Sequence, residues 1–161
     1  MAWDTYLKIE GVDGESRREG HEKEIELDSF SLGGSNPSTV GMGSGGGSGT
    51  VTLSSFNVSK KTDAASALLF SAMCRGEHFA KATLTMYVSG GAKALEKIIF
   101  EFEEVFVDSI SWGGSEGMSV PAEQVSFAYG KISITYNIQN PDGTLQGAVP
   151  ASWDVRTVSA A

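Results

Sequence analysis

The chain has 161 residues, 40% of them hydrophobic, and a formal net charge of −8 at pH 7. This length and composition fit one globular domain with its own hydrophobic core. The acidic balance argues against binding to nucleic acid, which needs clustered Lys and Arg, and against an anionic membrane surface.

Other simple counts narrow the possible functions further. The single Cys74 excludes an internal disulfide framework, and His21 and His78 are too few for a Cys/His zinc site. No stretch approaches the length of a membrane-spanning helix. Residues 1–11 lack the charged and apolar regions of a secretory signal. We therefore expect synthesis in the cytoplasm, no metal, no cofactor and no membrane insertion.

Alternation of apolar and polar residues, which is typical of strands, dominates the chain from its start. It is clearest in the runs 3–9, 51–58, 82–88, 98–102 and 125–138. The alternation shifts by one residue at three places, and each shift exchanges the two faces of a strand. Bulges or bends there would curl a sheet. The pattern predicts a mainly β fold, a curled β-barrel of two packed sheets; the shifts are at Asp28-Ser29, Ser54-Ser55 and Gly130-Lys131.

The segment 29–59 contains no Asp, Glu, Lys or Arg. Within it, the Gly/Ser-rich residues 33–50 include the spacing G-x-G-x-x-G, which binds a dinucleotide only where a helix follows. A strand-like run follows instead, so we reject nucleotide binding. A long structureless loop in a small domain is either functional or disordered. We favour an interaction loop over a linker, because strands lie on both sides of it.

One helix is predicted at residues 63–75, between strands. Asp63 is placed to cap its N-terminus, and Gly76 is placed to end it. Phe70 and Met73 are interpreted as core contacts rather than ligands. The predicted apolar stripe consists of Leu68, Leu69, Ala72 and Met73.

A second short motif, G-x-S-x-G, occurs at Gly113, Ser115 and Gly117. This spacing matches the nucleophile elbow of hydrolases, which requires a helix directly behind the serine. Residues 122–129 behind it instead alternate like a strand, so the motif is interpreted as a turn between strands. The sequence therefore predicts no catalytic residue and no enzyme.

Several quoted stretches carry a family resemblance in chain order: "MAWDTYLKIEGVDGES", the Gly-rich loop, "SKKTDAASALLFSAMCRGEHF", "LTMYVSGG" and "SWDV". Together they resemble the haemolysin-coregulated protein (Hcp) family, the tube protein of bacterial type VI secretion. The resemblance implies one domain over residues 1–161, a curled barrel with a flanking helix, and hexameric rings. It further implies that rings stack into a hollow tube, that a contractile sheath expels the tube from the cell, and that the lumen holds effectors.

The resemblance also assigns roles to residues. The shift at Asp28 turns Phe30 into the core and Ser29 and Ser31 away from it, and the family places this strand on the inner wall of the ring. Ser29 and Ser31 are thus expected to face the lumen and its effectors, although Ser31 could be merely an exposed strand residue. Residues 33–50 are expected to reach the adjacent ring; the stacking residues are Gly33, Gly34, Val40, Met42, Gly43, Gly45, Gly46 and Gly47.

The expected partners are further copies of the chain, effectors, and the spike and sheath proteins of the apparatus. Two other functions stay open. A phage-type tail-tube protein would share the architecture, and a neighbouring gene for a sheath or a capsid would separate the two. A ligand-binding or hydrolytic barrel would instead run as a 17.0 kDa monomer at all concentrations.

Overall fold

A computed structural model of the chain describes residues 3–37, 49–88 and 95–160. Strands dominate it, as predicted, and the one helix found in these residues interrupts them after the sixth strand. That helix has 12 residues, and no helix in the described part of the chain is long and apolar enough to cross a membrane. The elements are β1 Trp3–Ile9, β2 Ile25–Leu27, β3 Ser29–Ser31, β4 Gly34–Ser35, β5 Thr52–Leu53, β6 Phe56–Lys61, α1 Ala64–Arg75, β7 His78–Val88, β8 Leu95–Gly113, β9 Ala122–Ala128, β10 Lys131–Gln139 and β11 Leu145–Asp154.

Nine strands form one antiparallel sheet, and its path explains why it curls. The order is β2-β1-β7-β8-β9-β6-β3, with β10 paired to β8 and β11 paired to β10. The first and last strands of this path, β2 and β3, are separated in sequence only by Asp28, whose N–H donates to the Ser59 carbonyl at 2.8 Å. The path thus returns on itself. The mainly β prediction is confirmed, but the second sheet is only the small hairpin of β4 and β5.

The three predicted shifts in alternation all fall between strands. Asp28 separates β2 from β3, Ser54 and Ser55 separate β5 from β6, and Gly130 separates β9 from β10. The longest strand, β8, has an irregularity that the alternation does not reveal: its pairing with β9 shifts between Val107 and Ser109. The first part of β8 pairs with β7 and β10, and its last part pairs with β9.

The core fills the inside of the curled sheet with aliphatic and aromatic side chains. Phe56 stacks on Phe102 with ring centroids 4.5 Å apart, and Phe127 lies 5.8 Å from Phe56 on its other side. These rings come from β6, β8 and β9, so their contacts pack three neighbouring strands of the curled sheet against one core. Burying one such side chain contributes about 1.5–3 kcal/mol.

The helix begins and ends where the sequence predicts. The Asp63 carboxylate accepts from the Ala65 N–H at 3.0 Å, the Ser66 hydroxyl accepts from the Asp63 N–H at 3.0 Å, and Gly76 adopts a left-handed conformation with φ 68°. The predicted apolar stripe is wrong at Leu68, and the predicted core contact of Phe70 is wrong as well, because both side chains are exposed. Met73 packs against the core, as predicted. The face turned to the sheet follows an i, i+4, i+7 spacing; its buried residues are Ala65, Ser66, Leu69 and Ala72.

A buried ammonium joins this helix to two strands. Lys60 on β6 is 1% exposed, and its Nζ donates to Asp63 Oδ1 at 2.7 Å and to Ser66 Oγ at 3.0 Å. It also lies 3.3 Å from Oε1 of the fully buried Glu123, an ion contact whose angles do not make a hydrogen bond. The other oxygen of Glu123 accepts from the Trp112 indole at 2.7 Å. The ammonium of Lys60 is therefore the shared counter-charge of the Asp63 and Glu123 carboxylates.

We expect Lys60→Met to destabilise the fold strongly. Removal of the ammonium leaves a buried carboxylate without its counter-charge, which costs about 3–5 kcal/mol. Urea unfolding of the wild type and the variant at equal protein concentration measures this loss, because self-association also shifts apparent stability. The matched control is Lys61→Met, which removes the same charge from the exposed next residue. Equal unfolding midpoints for the two variants would contradict the role of the buried network.

Candidate functional site

Ser29 and Ser31 lie in a recess of about 310 Å³ on the outer surface of the curled sheet. The strands β3, β6, β9 and the last part of β8 form its floor. The pairing registers align the polar side chains of this floor in two rows across the strands. We call this surface the polar wall; its rows are Ser31, Asn57, Ser126 and Ser109, and Ser29, Ser59, Gln124 and Ser111.

The polar wall faces outward because the apolar residues between its two rows face the core. Phe30, Val58 and Val125 occupy adjacent register positions between the two rows. Val58 and Val125 are buried and Phe30 packs against the core, so the polar residues on either side of them must point outward. Ser29 and Ser31 are therefore exposed, as the alternation predicts.

No ionisable side chain belongs to the polar wall. Lys61 borders it at one end. Asp108 borders it at the other end and accepts a hydrogen bond from the Ser55 hydroxyl at 3.0 Å. Among the described residues, the serine hydroxyls of the wall have no hydrogen-bond partner in the protein. The wall thus offers neutral donors and acceptors to whatever lies against it.

Both edges of the four-stranded polar wall are open. In the described residues β3 pairs only with β6, and residues 107–113 of β8 pair only with β9. Unpaired backbone N–H and C=O groups at such edges are ready to pair with another strand. The two edges differ in sequence, so a copy of the chain could present one edge to the other edge of its neighbour.

The two ends of the predicted interaction loop come together beside this wall. The Gly33 N–H donates to the Ser54 hydroxyl, and the Ser54 N–H donates to the Gly33 carbonyl, both at 2.8 Å. The Tyr129 hydroxyl donates to the Ser54 carbonyl at 2.9 Å, and burial raises the pKa of Tyr129, so it stays a donor. The base of the loop is therefore a closed hairpin.

Two glycines at the base of the loop are closely packed. A Cβ on Gly49 would lie 2.8 Å from the Pro37 carbonyl oxygen, so this position has no room for a side chain. A Cβ on Gly34 would lie 2.6 Å from Leu53 Cδ2, so a side chain there would require the Leu53 side chain to move. The other predicted stacking residues, together with the G-x-G-x-x-G spacing, lie outside the described residues: Val40, Met42, Gly43, Gly45, Gly46 and Gly47.

The G-x-S-x-G motif is a turn, as predicted. It lies between β8 and β9, the Met118 N–H donates to the Ser115 carbonyl at 3.2 Å, and Gly117 has φ 95°. Within residues 3–37, 49–88 and 95–160, no group of three His, Cys, Asp or Glu side chains is arranged to hold a metal ion.

A second polar cluster lies on another face of the sheet and anchors residues 10–24. The Tyr87 hydroxyl contacts His21 and donates to Glu96 at 2.9 Å, while His21 Nδ1 lies 2.8 Å from Glu24. Burial raises the pKa of Tyr87 well above its usual value. The guanidinium of Arg18 lies 5.7 Å from the Tyr87 ring centroid. The cluster thus holds the long β1–β2 connection against the sheet.

Six residues of the polar wall were missed by sequence reasoning. Each belongs to a short pattern in which one apolar residue separates two neutral polar residues: "NVS", "SIS" and "QVS". Residues 29–31, "SFS", show the same pattern, so a search of the sequence for this pattern would have identified the six missed residues. What the sequence does not give is that these four patterns lie side by side.

Comparison with known proteins gives four further observations. A family model described as "Type VI secretion system effector, Hcp" matches residues 6–136. The curated Protein hcp1 of Pseudomonas aeruginosa is 34% identical over 157 residues, which cover 97% of each chain. A solved structure titled "Structure of a type six secretion system protein" matches with TM-score 0.93 and 33% identity over 99% of this chain and 100% of that one. Hcp1 from Salmonella typhimurium matches with TM-score 0.82 and 30% identity over the whole of both chains.

Proposed function

This chain belongs to the Hcp family and is a subunit of the type VI secretion tube, and we propose that six copies close into a ring whose polar walls line the lumen. Rings stack into a hollow tube that a sheath expels from the cell, and effectors occupy the lumen. The spike and sheath proteins of the apparatus contact the assembled tube. The proposal gives the chain a structural role and needs no catalytic residue.

The observation that carries this proposal is the polar wall with its two open edges. A closed ring repeats one heterologous contact, so each subunit must present two different surfaces. The outer edge of β3 and the edge of residues 107–113 of β8 meet this need, because they bound the same four-stranded surface from opposite sides. Joining them around a ring would make the polar walls one continuous inner surface.

We expect the purified protein to have six times its 17.0 kDa chain mass in solution. Light scattering coupled to a sizing column at tens of micromolar measures this mass. A monomer or dimer across that concentration range would contradict the ring.

For stacking, we propose that residues 33–50 form an arm that reaches the adjacent ring. Support comes from the hairpin at its base, which holds the two ends of the segment together. The absence of charge in the arm lowers the cost of removing it from water at a contact. Ordering a glycine-rich segment costs conformational free energy, so stacking should be weak for one arm and depend on all copies acting together.

Deletion of residues 43–47 should leave rings intact and abolish tubes, because the shortened arm no longer reaches the next ring. Light scattering reports the rings, and electron microscopy at rising protein concentration reports the tubes. The matched control keeps the length of the segment and only changes the order of its Gly and Ser residues, which should preserve stacking. Tubes that form as readily from the shortened protein as from the wild type would overturn the stacking role.

For cargo, we propose that Ser29 and Ser31 contact the effector. Both are exposed members of the polar wall, and no described residue occupies their hydroxyls. A ring repeats the contact in every subunit, so a weak interaction per copy sums to a useful affinity. The neutrality of the wall makes hydrogen bonding, rather than ion pairing, the source of this affinity.

Ser31→Gln should still form rings and tubes but bind and export its effector poorly, because a longer side chain from each subunit blocks close approach to the wall. Co-purification of the effector with the ring measures binding. The control is Ser133→Gln, which makes the same change on β10, outside the polar wall. Unchanged co-purification with the Ser31 variant would refute the lumen role of this residue.

A further inference from the structure

Side chains alone hold one part of the β1–β2 connection to the sheet. Backbone hydrogen bonds close the base of this connection, where the Gly14 N–H donates to the Lys23 carbonyl at 2.7 Å. Residues 17–22, which we call the tip, have no backbone hydrogen bond to a strand among the described residues. The side chains of Arg18 and His21 therefore decide whether the tip lies on the sheet.

The ring of His21 packs between two tyrosines of the sheet and is 13% exposed. It stacks on Tyr6 of β1 with the ring centroids 5.0 Å apart, and its centroid lies 4.6 Å from that of Tyr87 on β7. Each ring nitrogen has a partner: Nδ1 lies 2.8 Å from Glu24 Oε2, and Nε2 contacts the Tyr87 hydroxyl. That hydroxyl donates to Glu96 on β8 at 2.9 Å. We call these connected polar side chains the histidine network: Glu24, His21, Tyr87 and Glu96.

A count of protons in the histidine network fixes the charge of His21. The network has three contacts, and each of them needs one proton between two heavy atoms. Carboxylates only accept, so the Tyr87 proton goes to Glu96, and the two ring nitrogens must supply the other two protons. A neutral imidazole carries one proton and would leave two lone pairs facing each other. The network is therefore complete only when His21 is an imidazolium.

The groups around the ring are compatible with this charge. Burial disfavours a charged ring, but the carboxylates of Glu24 and Glu96 at the two ends of the network offset that cost. Burial also raises the pKa of Tyr87, so its hydroxyl keeps its proton. A proton on Glu24 instead would satisfy the same count, but a carboxyl loses its proton at a lower pH than an imidazole. The titratable groups that face the ring in the described residues are Asp4 and Tyr6 of β1, Arg18 and Glu24 of the connection, Tyr87 of β7 and Glu96 of β8.

Arg18 gives the tip a second attachment, which does not respond to pH in the physiological range. Its guanidinium pairs with Asp4 and lies 5.7 Å from the ring centroids of both Tyr6 and Tyr87. Hydrogen bonds with Tyr6 and Asp4 raise the pKa of Arg18 above its usual value, so it stays charged. His21 is thus the member of this cluster whose charge can change near neutral pH.

We propose that His21 is a proton-dependent latch that fastens the tip to the face of β1 and β7 turned away from the core. The closed latch holds one proton more than the open tip wherever a free histidine is neutral. A rise in pH above about 6.5 therefore favours the open tip, whereas below that pH both states are protonated and the latch is insensitive to pH. The inference concerns a single subunit and does not rest on the proposed ring.

Nitrogen NMR of the full-length protein, labelled with ¹⁵N only at histidine, tests the proton count directly. The chain contains two histidines, and the exposed His78 serves as the internal reference. We expect His21 to show two protonated ring nitrogens at neutral pH. A spectrum in which His21 has one protonated and one bare ring nitrogen would overturn the inference.

Hydrogen exchange of the tip amides measures the opening of the latch, after correction for the pH dependence of intrinsic exchange. From about pH 6.5 to about pH 8.5, opening of the wild type should increase by up to about tenfold per pH unit, because each opening releases one proton. Glu24→Gln should keep the tip closed and remove this pH dependence. The new amide N–H can donate to Nδ1, which completes the histidine network with a neutral imidazole.

The matched control is His78→Gln, which removes the other histidine and should retain the pH dependence of the wild type. If the tip of Glu24→Gln is open at every pH, or opens with the same pH dependence as the wild type, the network does not work by the proposed proton count. A wild-type tip whose corrected exchange is the same across this range would also contradict the latch. Neither result bears on the mass of the ring, so failure of this inference is distinguishable from failure of the proposed assembly.

Discussion

The buried ammonium of Lys60 is the constraint on which the rest of the structure depends. Lys60 lies directly opposite Glu123 in the pairing of β6 with β9, and Trp112 lies opposite Glu123 in the pairing of β9 with β8. A shift of one residue in either register would turn the inward side chains of a strand outward, Val58 or Val125 among them, and would bury polar side chains of the wall in their place. Satisfying one cation therefore fixes three strands relative to each other and, through Asp63, the start of the helix.

The polar wall lies on the face of the sheet opposite the buried Lys60 and Glu123. With Lys60 and Glu123 fixed inside, the neighbouring Ser59 and Gln124 must lie outside and opposite each other. The strand β8 extends the effect, because it runs as one continuous strand from its pairing with β7 and β10 to the polar wall. Glu104 interrupts it with φ 53° and pairs with Arg156. Arg156 also donates to Asp154 and lowers the pKa of that carboxyl to about 2, so this brace stays charged at neutral pH.

The sequence predicts those features that depend on local pattern. Strand breaks follow from shifts in alternation, the helix ends follow from Asp63 and Gly76, and the outward direction of Ser31 follows from period two. The sequence does not predict features that depend on the pairing register between segments far apart in the chain. Burial of Lys60 cannot be read from a run of alternating residues that ends in two lysines, and the exposure of Phe70 depends on how the helix packs. The polar wall depends on the pairing of four separate strands.

The neutrality of the polar wall has a physical consequence for a lumen. The chain carries 20 acidic residues against 12 basic ones, yet the wall contains none of either. In the proposed ring, a charged side chain on the wall would be repeated in every copy, and the summed field would repel or trap cargo according to its charge. Neutral hydroxyls and amides bind through short-range hydrogen bonds, each of net worth about 0.5–1.5 kcal/mol. Repetition makes such contacts strong enough to hold a cargo that fits, while each remains weak enough to break one at a time on release.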